Sequence, residues 1–210
     1  MNENAEVIYA AKLERLKKKL EERQFAVTLL KRKEEVLPFL KSAVPEGASI
    51  GVGGSVTLDE CGVIEWLTDN PNYRFIDRYH TDDRRRAFRE SLLADVFLMS
   101  TNAVTMDGIL YNVDGTGNRA AALIYGPDQV YVIAGVNKIT ENLDAAIARV
   151  EQTAAPINNV RLKKPNPCTA FGECVHCNES SSICNQFVFT RRCQPPGRIH
   201  VVLVNEELGY

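Results

Sequence analysis

The chain has no apolar run approaching the roughly 20 residues that span a bilayer. It also lacks a start that joins a charged stretch, an apolar stretch and a small-residue cleavage site. Neither a membrane anchor nor a secretory signal is expected, and the sequence reads as that of a soluble, cytoplasmic protein. Basic charge is not in surplus: 25 Lys and Arg stand against 27 Asp and Glu, a net charge of -2. Capture of a nucleic-acid backbone needs a positive footprint, so neither nucleic acid nor membrane is an expected partner. Three familiar cofactor signatures are missing as well. There is no G-K-[ST] phosphate loop, no G-x-G-x-x-G dinucleotide fingerprint, and no compact C-x2-C-x2-C-x3-C-P cluster pattern.

What is present is an ordinary globular composition, 45% apolar and 25% charged over 210 residues, long enough to bury a full core without cysteine staples. Residues 1–25 read as an N-terminal amphipathic helix, with Val7, Ile8, Ala11, Leu13, Leu16 and Leu20 set among Lys, Arg and Glu. Residues 26–210 read as one α/β domain that includes a cysteine-rich segment at 165–195. Strands are expected at Phe25–Leu30, Ser49–Val52, Arg74–Asp77, Ala94–Ser100, Gly108–Asn112, Ala120–Tyr125, Gln129–Ala134 and Arg198–Val204. Helices are expected at Lys33–Ser42, after Leu58, at Asp82–Leu93 and at Asn142–Thr153. Such alternation implies right-handed crossovers and a mainly parallel sheet.

Two polar stretches are candidates for chemistry. The first is Ser49-Ile-Gly-Val-Gly-Gly-Ser-Val-Thr, where a buried strand runs into Gly53, Gly54, Ser55 and Thr57 at the start of a helix. Glycines allow close ligand approach, hydroxyls donate hydrogen bonds, and a helix start favours an anion. A tight turn with Ser55 or Thr57 as helix cap is the structural alternative. Glu60, one turn further on, either meets that ligand or faces water. The second stretch runs from Ser100 to Arg119 and holds Asn102, Asp107, Asn112 and Asp114. Loops that follow parallel strands gather at one sheet edge, so these groups are expected to join the Gly-rich turn, with Arg119 as the cation. Hairpin punctuation by Asp107-Gly108 and Asp114-Gly115 is the competing reading. His80, in Tyr79-His80-Thr81-Asp82, is an acid–base candidate or a surface histidine before a helix.

Four of the six cysteines lie close together, Cys168, Cys174, Cys177 and Cys184, spaced C-x5-C-x2-C-x6-C in a Pro/Gly-broken segment. Three readings stand side by side: four ligands for zinc or an iron–sulfur cluster, a thiol-lined site, or packed reduced thiols. His176, between Cys174 and Cys177, is either a substitute metal ligand or, as its place between two cysteines favours, an exposed residue; Cys193 is another substitute ligand, and Cys61 is expected in the core.

The order of motifs, GVGGSVTLDECG, YHTD, ADVFLMSTNAVTMDGILYNVDGTGNRAAALIYGP, VIAGVNKIT, AAPINNVRL, PCTAFGECVHC, SSICN and VVLVNEELGY, resembles the lactate-utilisation (LUD) domain family in its short form. The resemblance implies a three-layer, Rossmann-like α/β fold similar to the ribose-5-phosphate isomerase, glucosamine-6-phosphate deaminase and coenzyme A transferase group. In those folds the Gly-rich loop after the first strand binds phosphate, and Gly51 to Thr57 is similar in place and chemistry. It also implies a process, oxidation of L-lactate to pyruvate beside iron–sulfur partner subunits. The longer members carry a ferredoxin-like C-terminal extension, which is not expected here.

The expectation is a subunit of that redox system binding a small anionic metabolite at Gly53, Gly54, Ser55, Thr57, Glu60, Asn102, Asp107, Asn112 and Arg119. One alternative is a stand-alone enzyme on a phosphorylated or coenzyme A-linked substrate, with Glu60 or Asp107 as base. The other is a non-catalytic scaffold whose cysteine segment docks a partner.

Overall fold

Four strands carry almost uninterrupted apolar runs, and the reason is that both faces of their sheet are covered. In the computed structural model, which describes residues 2–210, the elements run in the following chain order. They are α1 (Glu3–Glu22), β1 (Ala26–Leu30), α2 (Val36–Ala43), β2 (Ser49–Val52), α3 (Val56–Glu60), α4 (Val63–Thr68) and β3 (Arg74–Phe75). Next come α5 (Arg84–Glu90), β4 (Val96–Ser100), β5 (Ala103–Thr105), β6 (Leu110–Asp114), α6 (Asn118–Ile124), β7 (Gln129–Gly135) and β8 (Ile139–Thr140). Last are α7 (Leu143–Arg149), a π-helical turn (Val150–Ala154), α8 (Ala155–Arg161), α9 (Cys168–Phe171), β9 (Gln186–Thr190) and β10 (Ile199–Val204).

The central sheet has the order β1-β10-β7-β4-β2-β3, and every pairing in it is parallel. Alternate residues of its strands point into two separate cores. Phe97 and Met99 of β4, Val130 and Val132 of β7, and Val201 and Leu203 of β10 face α1 and α6. Val96 and Leu98, Tyr131 and Ile133, and Val202 and Val204 face α2, α3 and α4. The result is a three-layer Rossmann-like α/β arrangement, helices on sheet on helices, as expected. A second sheet, β8-β5-β6-β9, stands beside it.

The amphipathic N-terminal helix is part of this packing. Asn2 caps it by accepting the Ala5 N–H at 2.9 Å. Its Leu13, Leu16 and Leu20 are buried in the same core as β4, β7 and β10, each contributing about 1.5–3 kcal/mol of apolar burial.

One expected strand is a helix. Ala120–Tyr125 falls in α6, which begins after Gly117 at φ +83°. A short run such as Ala-Ala-Ala-Leu-Ile carries no decisive period, alanine favours the helix, and the Ala120 N–H is held by Asp114 Oδ2 at 2.7 Å. The helix expected at Asn142–Thr153 runs further, through the π-turn and Pro156 to Arg161. A π-turn frees backbone groups and admits a proline where a continuous α-helix would not.

Candidate functional site

A parallel sheet sends its connections out from one edge, and there the polar groups collect. The segments that follow β2, β3, β4, β7 and β10 supply Gly54 to Thr57, Arg78, Ser100 to Asn102, Lys138, and Gly209 with Tyr210. Together with Asn158 and Arg161 of α8 they enclose a cavity of about 230 Å³.

Its charge is unbalanced. Asp114 is the one acidic side chain in the lining, and it is consumed by Arg119, whose Nη2 lies 2.7 Å from Asp114 Oδ1. Arg78 and Arg161 form no ion pair among the described residues. The Arg78 guanidinium instead lies over the rings of Phe88 and Tyr79, at 4.6 and 5.6 Å. Arg161 donates from Nε and Nη2 to Asn158 Oδ1, at 3.0 and 2.8 Å.

Lys138 is 4% exposed. Its Nζ donates to the main-chain oxygen of Tyr210 at 3.3 Å. Burial, and then the positive charges of Arg149 and Arg119, push its amine down to about 7, against a smaller upward pull from Glu60.

The sequence-derived residues divide sharply. Gly54, Ser55, Thr57, Asn102 and Arg119 line the cavity. Arg119 is nonetheless not the free cation expected. Nε donates to Asp114, Nη1 to Ser100 O and Asn112 Oδ1, and Nη2 to Asn102 Oδ1 and Val113 O. Every N–H of the fork is engaged and its charge is matched, so Arg119 ties β4, the loop after it and β6 together. Gly53 serves that tie, since a Cβ would come within 3.0 Å of Arg119 Cδ. Asn112 lies beneath, fully buried, with Nδ2 lacking a partner.

Ser55 caps α3 by accepting the Leu58 N–H at 3.4 Å. At five residues, α3 offers little dipole. Thr57 and Glu60 hold the C-terminal tail: Thr57 Oγ1 donates to Leu208 O at 3.3 Å, and Glu60 Oε2 accepts the Gly209 N–H at 2.7 Å.

Asp107 is elsewhere. The antiparallel β5–β6 pair puts Asn102 and Asp114 at one end and the turn containing Asp107 at the other. There Asp107 pairs at 3.2 Å with Arg23, the residue that follows α1, in a second cleft with Lys19, Arg191 and Arg192. His80 is exposed and bonded to Asp77 at 2.7 Å, outside the cavity.

All six cysteines are free thiols, with Cys61, Cys168 and Cys193 buried. Burial and then the neighbouring Cys174, Cys168 and Cys177 push Cys184 up to about 11, and Cys174 Sγ accepts the His176 N–H at 3.4 Å. The thiols are near enough to influence one another. Yet no three His, Cys, Asp or Glu side chains among the described residues are gathered as a metal would gather them, so the four cysteines as placed do not fit a closed metal site. Their segment walls the cavity through Ile183. Asn185 beside it donates its N–H to Asp114 O at 2.9 Å.

Residues 13–204 match the family described as the LUD domain. The chain belongs to the LUD domain family. That family is linked to lactate utilisation. No curated protein matches the chain. A solved structure, that of a DUF162 family protein from Deinococcus radiodurans, superposes with a TM-score of 0.53. At 15% identity it covers 93% of this chain and 98% of its own, and it supports the fold alone.

In this LUD domain the groups that sequence reasoning missed are Arg78, Lys138, Arg161 and Tyr210. Each lies in or beside a stretch already recognisable as family motif: YHTD, VIAGVNKIT, AAPINNVRL and VNEELGY. The signal was present, but a lysine in a sequence does not announce that it is buried.

Proposed function

We propose that this LUD domain binds a small carboxylate- or phosphate-bearing metabolite in the cavity at the C-terminal edge of the central sheet. It would do so as a component of lactate utilisation, in which L-lactate is oxidised to pyruvate beside iron–sulfur partner subunits. The observation that carries the reading is the charge of the lining: two guanidinium groups outside any ion pair and a buried lysine line about 230 Å³ whose one acidic side chain is already paired, with Asp59 and Glu60 the acids that act on Arg161 and Lys138 from outside the lining. A small anion supplies what these groups lack.

In this reading electrons travel through partner subunits, and the LUD domain holds the metabolite. Zinc or an iron–sulfur cluster on Cys168, Cys174, Cys177 and Cys184 would require residues 172–185 to rearrange. Metal analysis of anaerobically purified protein against a Cys174→Ser, Cys177→Ser variant tests that separately.

The site itself is tested by calorimetric titration with L-lactate, pyruvate and inorganic phosphate. Arg161→Ala removes one charge-assisted contact and should weaken the best of these by about 10- to 100-fold. Equal affinity in the variant would overturn the assignment.

A further inference from the structure

Lys138 is a cation in formula but poorly housed as one. An ammonium carries three N–H donors, and Lys138 Nζ has a single acceptor, the Tyr210 main-chain oxygen at 3.3 Å. It forms no ion pair among the described residues, and of the charged groups that act on it Arg149 and Arg119 outweigh the one acid, Glu60. The neutral amine, with a free lone pair, suits that environment better than the ammonium does.

Although buried, the side chain borders the cavity. Gly209, at φ +56°, passes alongside it: a Cβ there would lie 3.5 Å from Nζ and 2.7 Å from Thr57 Oγ1. Asn137 fixes this passage by accepting the Leu208 N–H at 3.0 Å and donating to Gly209 O at 3.1 Å. Lys138 therefore lines the same cavity as Arg78 and Arg161. An amine nucleophile beside guanidinium groups is matched by one arrangement of substrate groups, a carbonyl next to a carboxylate.

We infer that Lys138 forms an imine with a 2-oxo acid held by Arg78 and Arg161. The inference rests on the anion-site reading above. Nζ attacks the carbonyl carbon, a C–N bond forms, and the carbonyl π pair moves to oxygen, which gains a proton while nitrogen loses one. The carbinolamine then expels its hydroxyl as water and the C=N bond forms. Nothing is oxidised or reduced, and the products are imine and water. The tuning that makes this feasible is burial, which leaves a substantial fraction of the amine unprotonated near neutral pH.

The test traps the imine. The full chain is incubated with pyruvate and cyanoborohydride at neutral pH, which converts an imine to a stable secondary amine, and is then analysed by intact mass and peptide mapping. The expected result is one adduct per chain, at Lys138, suppressed by excess L-lactate, which has the carboxylate without the carbonyl. Lys138→Arg should lose the adduct. Because the wild-type map locates the adduct, the result does not depend on that variant folding. Pyruvate binding with no adduct, or with adducts spread over exposed lysines, overturns the imine and leaves the anion site standing. Absence of binding by all three anions, pyruvate, L-lactate and phosphate, overturns both.

Discussion

Arg119 and Arg161 line the same cavity, yet their surroundings assign them opposite tasks. Arg119 is 12% exposed in its side chain, ion-paired with Asp114, and saturated with hydrogen bonds from two strands and a loop. Its removal leaves Asp114 buried without a counter-charge and Asn112 and Asn102 short of donors. Arg119→Ala should therefore lower stability by about 3–5 kcal/mol, read from urea unfolding. A loss below about 1 kcal/mol would mean that the network is not holding the loops.

Lys138 gives a pH signature of its own. Its folded value, about 7, is below the ordinary 10.5, so between these values the unfolded chain binds the extra proton. Stability should rise as pH increases through that window, with the penalty fully present below about 7 and gone above about 10.5. The span corresponds to on the order of 5 kcal/mol. Lys138→Met, which cannot charge, should flatten the slope in denaturant titrations at neutral and alkaline pH. An unchanged slope would show that the amine is not buried as described.

At the scale of elements, the tail after β10 acts as a strap pinned by Thr57, Glu60, Asn137 and Lys138. Gly209→Ala adds a Cβ 2.7 Å from Thr57 Oγ1 at a left-handed backbone position. The expected cost is about 1–3 kcal/mol, together with faster amide exchange at Leu208 and Gly209. Wild-type exchange there would contradict the strap.

What was legible in the sequence follows the same elements. Ser49–Val52 reads as a strand, because a short apolar run bounded by glycines has one reading in an alternating α/β chain. The Ala120 run has two readings, and the helix wins through Asp114, a contact local in space but invisible as a pattern. The hairpin separates Asp107 from Asn102 because antiparallel strands send a turn and its flanks to opposite ends. Composition ranks both residues alike, and only register tells them apart. Arg119 looked like the anion's cation because a guanidinium after a Gly-rich turn has that chemistry, but sequence does not reveal how many acceptors surround it.

On the scale of the whole molecule, five of the six strands of the central sheet deliver their following segments to one edge. The two cores that flank the sheet fix those strands from both sides. A rigid scaffold with its polar loops on one rim is a frequent site for small ligands. The family and the α/β class were readable because long ordered motifs and apolar runs are properties of the chain itself. The cavity's cations were not, because Arg78, Lys138 and Arg161 are separated by 60 and 23 residues along the sequence and meet only in the fold.

The most direct test of the anion site is amide chemical-shift mapping on isotopically labelled protein titrated with pyruvate and, separately, with inorganic phosphate. The amides of Gly54, Thr57, Asn102, Lys138 and Gly209 should shift together and saturably, while those of Arg23, Asp107, Arg191 and Arg192 in the second cleft stay in place. Saturable shifts confined to that second cleft, with the sheet-edge amides unmoved, would contradict the account.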